Sequence, residues 1–151
     1  MAIGSNILHV DSTSGKVREV YNHMSTHLMY SGRVLYENYN TEEKVLNLLQ
    51  NGDIYCLGLS TDPVPDDKAN DEVYTNGTNH CVFFNRDKKD DRAIRNCRTH
   101  DSLESALKKL DANPKQFTYI FENGKWSYRF WKQRAEELNP IRIFHDDEED
   151  G

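Results

Sequence analysis

The chain has 151 residues, 36% of them hydrophobic and 29% charged, with a formal net charge of −6 at pH 7. That length suits one core and leaves little room for a second. An acidic balance gives no uniform attraction to nucleic acid or anionic lipid, so binding of that kind requires a local basic patch.

Residues Ile7 to Val10 and Lys16 to Tyr21 flank Asp11-Ser-Thr-Ser-Gly15, a cluster of turn formers, and predict an opening β-hairpin. Leu28 to Tyr39 places Leu28, Leu35 and Tyr39 at helical spacing, with Gly32 a weak point. A second helix is predicted from Asn40 as cap with Glu43 three residues on. Its apolar stripe is Val45, Leu48 and Leu49, and Gly52 supplies a left-handed stop. Ile54 to Leu57 suits a buried strand. Asp62 to Asn79 carries two prolines and five acids and is expected to be a mobile loop.

His80 to Phe84 returns to strand character. The charged run Arg86 to Arg98 leads into a third helix, with Asp101 as cap, Glu104 as its box partner and Leu103, Ala106, Leu107 and Leu110 as its buried face. Pro114 ends it. Phe117 to Phe121 and Trp126 to Trp131 predict a hairpin around Asn123-Gly124, the pair best suited to a type I′ turn. Ile141 to Phe144 is expected to be a last strand, and His145 to Gly151 is an acidic tail.

These elements predict one α+β domain over residues 1–144. Its expected core is an antiparallel sheet of about five to seven strands, with about three helices packed mainly on one face. The N-terminal residues lack the basic start and apolar stretch of a secretory signal, and no apolar run approaches the roughly 18 residues of a membrane span. Cys56, Cys81 and Cys97 lie far apart, form no CxxC pair and leave one thiol over. They point to a reducing compartment, the cytoplasm, rather than to a disulfide framework or a zinc site.

The runs Glu37-Asn-Tyr-Asn-Thr41, Glu43-Lys-Val45, Gly52-Asp53 and Leu57-Gly58, followed by Arg86-Asp87 and by Tyr119, Phe121 and Gly124-Lys-Trp126, form an ordered pattern. In these segments the chain resembles a family of small tailed-bacteriophage and prophage proteins without an assigned activity. The chain departs from that pattern at Met24 to Met29, where such proteins carry an aromatic residue, an acid, a glycine, a tyrosine and a proline in a tight turn. The resemblance implies an early phage gene product in the host cytoplasm, acting in host takeover or against host defence.

The candidate chemistry is sparse. His23 and His27 are four apart and His9 can approach them across the first hairpin, but zinc needs three or four converging ligands, so no metal is expected. A two-histidine phosphoesterase requires two His-x-Thr/Ser elements, and His23-Met-Ser25 supplies one while Thr99-His100 has the order reversed. Cys97, among Arg92, Arg95 and Arg98, is the one cysteine placed for a lowered pKa. No phosphate-binding glycine pattern occurs, and no cofactor is implied.

The run Arg86, Lys88, Lys89, Arg92, Arg95 and Arg98 against Asp87, Asp90 and Asp91 sums to +3 (six minus three). It is suited to gripping a phosphate, or else is a solvated loop held by its own ion pairs. Arg33 and Glu37 form an i,i+4 pair beside Tyr30 and Asn38. The acidic loop and tail pose the further choice between nucleic-acid mimicry and plain solvation.

The functional expectation is therefore a phage-encoded binding protein that inhibits or redirects a host bacterial protein. Its candidate contacts are His23, His27, Tyr30, Arg33, Glu37, Asn38, Arg86, Asp87, Arg95 and Arg98. The alternatives are a sponge, oligomeric and with a defined pocket, that sequesters a phosphorylated nucleotide signal, and, with least support, a phosphoesterase.

Overall fold

The computed structural model describes residues 4–24, 26–65, 67, 79–88, 95–113, 117–140 and 143. Eight strands form one sheet: β1 (Ser5–Val10), β2 (Val17–Asn22), β3 (Ile54–Cys56), β4 (Val82–Phe83), β5 (Arg98–His100), β6 (Phe117–Glu122), β7 (Lys125–Phe130) and β8 (Glu136–Glu137). Their order is β4-β3-β2-β1-β6-β7-β8, with β5 attached to β2. The helices among the described residues are α1 (Arg33–Asn38), α2 (Glu42–Leu49), α3 (Phe84–Asp87) and α4 (Leu103–Leu110); a wide helical turn over Leu28–Gly32 leads into α1.

The chain is α+β, but the sheet is larger than expected and mixed rather than antiparallel. Strand β1 runs parallel to β6, and β2 runs parallel to β3. Turn chemistry reports only pairings that a short loop can close. The register of Asn6 opposite Thr118 spans most of the chain and leaves no local signal.

The helices also divide between the two faces. On one, Val34, Leu35, Val45, Leu48 and Leu49 of α1 and α2 pack with Ile7, Val20, Ile54, Phe83, Phe117, Tyr119, Phe121 and Trp126. On the other, α4 lays Ala106, Leu103, Leu107 and Leu110 over Leu8, Val10, Val17 and Ile120. Strand β1 is buried along its whole length because it is covered on both sides. Each buried aliphatic side chain contributes about 1.5–3 kcal/mol relative to exposure.

Buried aromatic residues satisfy their polar tips. Trp126 Nε1 donates to the Tyr39 carbonyl (2.8 Å), the Tyr39 hydroxyl to Gly58 (2.7 Å) and the Tyr119 hydroxyl to Thr26 (2.7 Å). These bonds tie α1 and the turn before it to the sheet.

Local details shift by a residue. The cap of α2 is Thr41, whose hydroxyl accepts from the Lys44 amide, not Asn40. The cap of α4 is Ser102 in a reciprocal box with Ser105, not Asp101 with Glu104. In both cases the shorter hydroxyl side chain occupies the extended residue directly before the first turn. Of the expected last strand, Ile143 is described; its amide donates to the Asn139 carbonyl in a helical turn, and 141, 142 and 144 lie outside the described residues. So do 66 and 68–78 of the acidic loop and the tail from 145.

Candidate functional site

One edge of β2 is shared by two partners. Strand β5 pairs antiparallel with Val17 to Glu19, while β3 pairs parallel at Asn22. In the interval the Tyr21 amide donates to the Asp53 carboxylate, at 2.8 Å. Diverging strands of this kind open a cleft, a common place for ligand sites.

Asp53 reaches that position because of Gly52, whose φ of +82° is left-handed and whose Cβ, if present, would lie 2.3 Å from the Arg95 carbonyl oxygen. The Asp53 amide donates to the same carbonyl at 2.8 Å. The Gly52-Asp53 pair thus acts as one device, a side-chain-free turn delivering a buried carboxylate.

Asp53 and Glu19 are 4% and 3% exposed, and Arg98 lies between them. Arg98 Nη2 donates to Glu19 (2.8 Å) and Asp53 (2.7 Å), Nε to Glu19 (3.1 Å), and Nη1 to Asp53 (3.4 Å) and the Asn96 carbonyl (3.3 Å). Glu19 also accepts from Asn6 Nδ2 (2.7 Å) and lies 3.2 Å from His100 Nε2. Burial acts to raise the Glu19 carboxyl, but the hydrogen bonds and charge of Arg98, with those of His100 and Asn6, outweigh it and hold it below its ordinary value. Burial likewise acts to lower Arg98, and the two carboxylates override it, so the guanidinium stays charged.

Above this cluster is an open groove of about 500 Å³, within the range of small-molecule sites. Lys109, Leu110 and Asn113 at the end of α4 form one wall, and Tyr21 and Arg95 the other. Its lining carries Arg95, Arg98 and Lys109 against Glu19 and Asp53, three cations to two carboxylates.

Beside the groove, four rings pack together. His23 stacks on Tyr55 with centroids 5.5 Å apart and meets Phe84 at 6.1 Å and Tyr21 at 5.8 Å. Tyr55 and Phe84 meet edge-on at 5.5 Å. Two cations lie over this platform, Lys88 Nζ at 4.3 Å from the Tyr55 ring and Arg95 Cζ at 4.4 Å from the Phe84 ring.

The structure therefore gathers His23, Arg95 and Arg98 on one face, and places the other expected contacts elsewhere. Arg86 engages Asp87 and the carbonyls of Thr61 and Cys81, while Asp87 accepts the Phe83 amide, so this pair ties α3 to the preceding loop. Arg33 and Glu37 form an exposed i,i+4 pair on α1. Asn38 donates to the Val34 carbonyl, and the Tyr30 hydroxyl to Leu57. His27 is exposed, and its carbonyl receives the amides of the turn entering α1. Lys89 and Arg92 lie outside the described residues.

Two expectations are corrected. His9 does not approach His23: it pairs opposite Arg18 at the other end of the hairpin, is buried, and bonds Glu42 at 3.0 Å. The Cys97 thiol is not lowered, because burial raises it and Arg98 is turned toward Glu19 and Asp53. Among the described residues no three His, Cys, Asp or Glu side chains come together as a metal site, and no helix is long and apolar enough to cross a membrane.

The expected contacts did not include Glu19, Tyr21, Tyr55, Phe84 or Lys109, nor Asp53 and His100, which entered only through the resemblance and the reversed Thr99-His100 element. One signal was present: Glu19 follows Val17 at the strand period, on the face where a core residue is expected. Comparison with family models, with curated proteins and with solved structures found no match to this chain.

Proposed function

We propose that the chain is a binding protein whose working surface is the groove at the split edge of β2 together with its aromatic platform, and that it takes a phosphorylated nucleotide. The observation that carries this reading is the packing of Tyr21, His23, Tyr55 and Phe84 beneath Lys88 and Arg95, directly beside the groove. Base stacking on aromatic rings contributes about 1–3 kcal/mol per base, and the cations that lie over Tyr55 and Phe84 suit the phosphate. The buried carboxylates disfavour phosphate on the floor, so the anionic end belongs near Arg95, which both lines the groove and lies over Phe84 of the platform. The likeness to phage early proteins supplies the setting, sequestration of a nucleotide that a host uses as a signal.

The phosphoesterase reading has less support. His100 pairs opposite Val17 and His23 follows Asn22, six residues further along β2, or roughly 20 Å at strand rise. The two histidines do not converge on one phosphate.

A second reading, inhibition of a host protein, is favoured by Met24, Met29 and Tyr36, all exposed, in the stretch of chain that also carries the exposed Arg33–Glu37 pair. Capture of the tagged chain from bacterial lysate separates the two, with mass spectrometry of heat-released small molecules and of co-purifying proteins. A released nucleotide, with AMP or octathymidylate binding that weakens at least fivefold in Arg95→Ala/Lys109→Ala but not in Arg33→Ala, supports the groove. The groove reading fails if a stoichiometric host protein is lost on changing Met24, Met29 and Tyr36 and neither probe binds.

A further inference from the structure

We infer that Tyr21 fixes the tautomer of His23, so that Nε2 carries the proton and is the donor that reads a phosphate oxygen on the aromatic platform; the inference rests on the nucleotide reading above.

It starts at Gly4. A Cβ there would lie 2.1 Å from Tyr21 Cε1 and 2.5 Å from its hydroxyl oxygen, so the tyrosine ring is laid flat against a residue that has no side chain. This seat sets the hydroxyl 2.9 Å from His23 Nδ1. Backbone bonds hold the histidine's own position, with the His23 amide donating to the Ile54 carbonyl (2.9 Å) and the Met24 amide to Tyr55 (3.1 Å). The ring is then clamped by the Tyr55 face and the Phe84 edge. His23 is exposed, and its Nε2 has no hydrogen-bond partner among the described residues.

Chemistry selects the direction of the Tyr21–His23 bond. A phenol is a stronger hydrogen-bond donor than acceptor, so the Tyr21 hydroxyl, 2.9 Å from Nδ1, donates to the Nδ1 lone pair. With Nδ1 acting as acceptor, the proton of the neutral imidazole belongs on Nε2. The opposite tautomer would present a lone pair outward and repel an anion. Among the described residues the ring meets Tyr21, Tyr55 and Phe84; Lys88 lies over Tyr55 and Arg95 over Phe84, and Glu19 and Asp53 are engaged by Arg98. An oxyanion placed at Nε2 therefore meets an N–H donor on a platform whose Tyr55 and Phe84 rings each carry a cation.

The test uses full-length chain labelled with ¹⁵N-histidine and long-range ¹H–¹⁵N spectra at alkaline pH. Expected are a bare Nδ1 and a protonated Nε2, with AMP moving the Nε2 resonance more than Nδ1. Tyr21→Phe keeps the ring on Gly4 but removes the hydroxyl. It is expected to mix the two tautomers and to weaken AMP about three- to tenfold, the worth of one hydrogen bond, with little change in thermal midpoint. Gly4→Ala, which displaces the whole ring, is expected to do the same. A protonated Nδ1 in the wild-type chain, or AMP binding with both ring nitrogens unmoved, overturns this inference and leaves the groove reading standing. No binding of AMP or octathymidylate at all overturns both.

Discussion

Replacing Arg98 with leucine probes the ion cluster that shapes the groove. The substitution leaves Glu19 and Asp53 buried without their cation, although Asn6, His100 and the Tyr21 amide still approach them. Breaking a fully buried pair costs about 3–5 kcal/mol, and since the Arg98 side chain is 41% exposed and water reaches one side of it, a loss of about 2–4 kcal/mol is expected at pH 7. For a domain of this size that lowers the thermal midpoint by about 5–15 °C.

The pH dependence has a definite sign. The folded Glu19 carboxyl lies below its ordinary value of 4.5, so its contribution is complete above that pH and is lost as pH falls through the folded value. In Arg98→Leu burial acts without the guanidinium, the carboxyl moves up, and protonation relieves the variant. Urea unfolding should therefore show the full deficit at pH 7 and a smaller one at pH 4, and Glu19→Gln added to Arg98→Leu should recover part of it. A deficit below about 0.5 kcal/mol at pH 7, the range of ordinary surface changes, or one that grows on acidification, would refute the reasoning.

Glycine positions at similar φ should differ sharply. Gly52→Ala must fit a Cβ against the Arg95 carbonyl, whereas Gly124 at φ +79° has open space around it, so Gly52→Ala should exceed the roughly 1 kcal/mol of Gly124→Ala by a factor of two or more in chemical denaturation. Ala106 is fully buried between α4 and the sheet, and Ala106→Leu should cost about 1–3 kcal/mol by overpacking, read in the same assay. With burial raising all three thiols, Cys56 to about 11, peptide mapping after iodoacetamide at pH 7 should find Cys97 alkylated more slowly than an unstructured cysteine and faster as pH rises. Rapid alkylation of Cys97 at neutral pH would restore a reactive-thiol reading.

What was legible in the sequence was what short loops decide. Asn123 and Gly124 have φ of +53° and +79°, as the type I′ turn demands, and Gly15 at +77° closes the first hairpin. The stripe of α2 is buried as its spacing predicts. The basic run was legible as composition but not as geometry, because a guanidinium suited to phosphate is equally suited to a carboxylate, and Arg98 faces Glu19 across 79 positions of chain. The parallel pairings, and with them the division of the helices between two faces, depend on which hairpin lies beside which. No turn residue records that.

The split edge of β2 explains why polar groups concentrate there. A strand normally meets its neighbours through a continuous ladder, yet here the partner changes from β5 to β3 between Glu19 and Asn22. An unpaired buried amide costs about 1–3 kcal/mol, and at Tyr21 the amide donates to a side-chain carboxylate. That carboxylate, Asp53, brings a charge into a buried position. Arg98 offsets that charge, and with Glu19 and His100 it extends the ionic network onto β5. The groove is therefore held open by side-chain chemistry where a strand could have closed it. Neutralising Asp53 as asparagine should loosen the Tyr21 amide first, so hydrogen exchange at Tyr21 should accelerate more than at Ile7 in the centre of β1. Equal acceleration at both would mean that Asp53 supports the whole sheet and not the split edge.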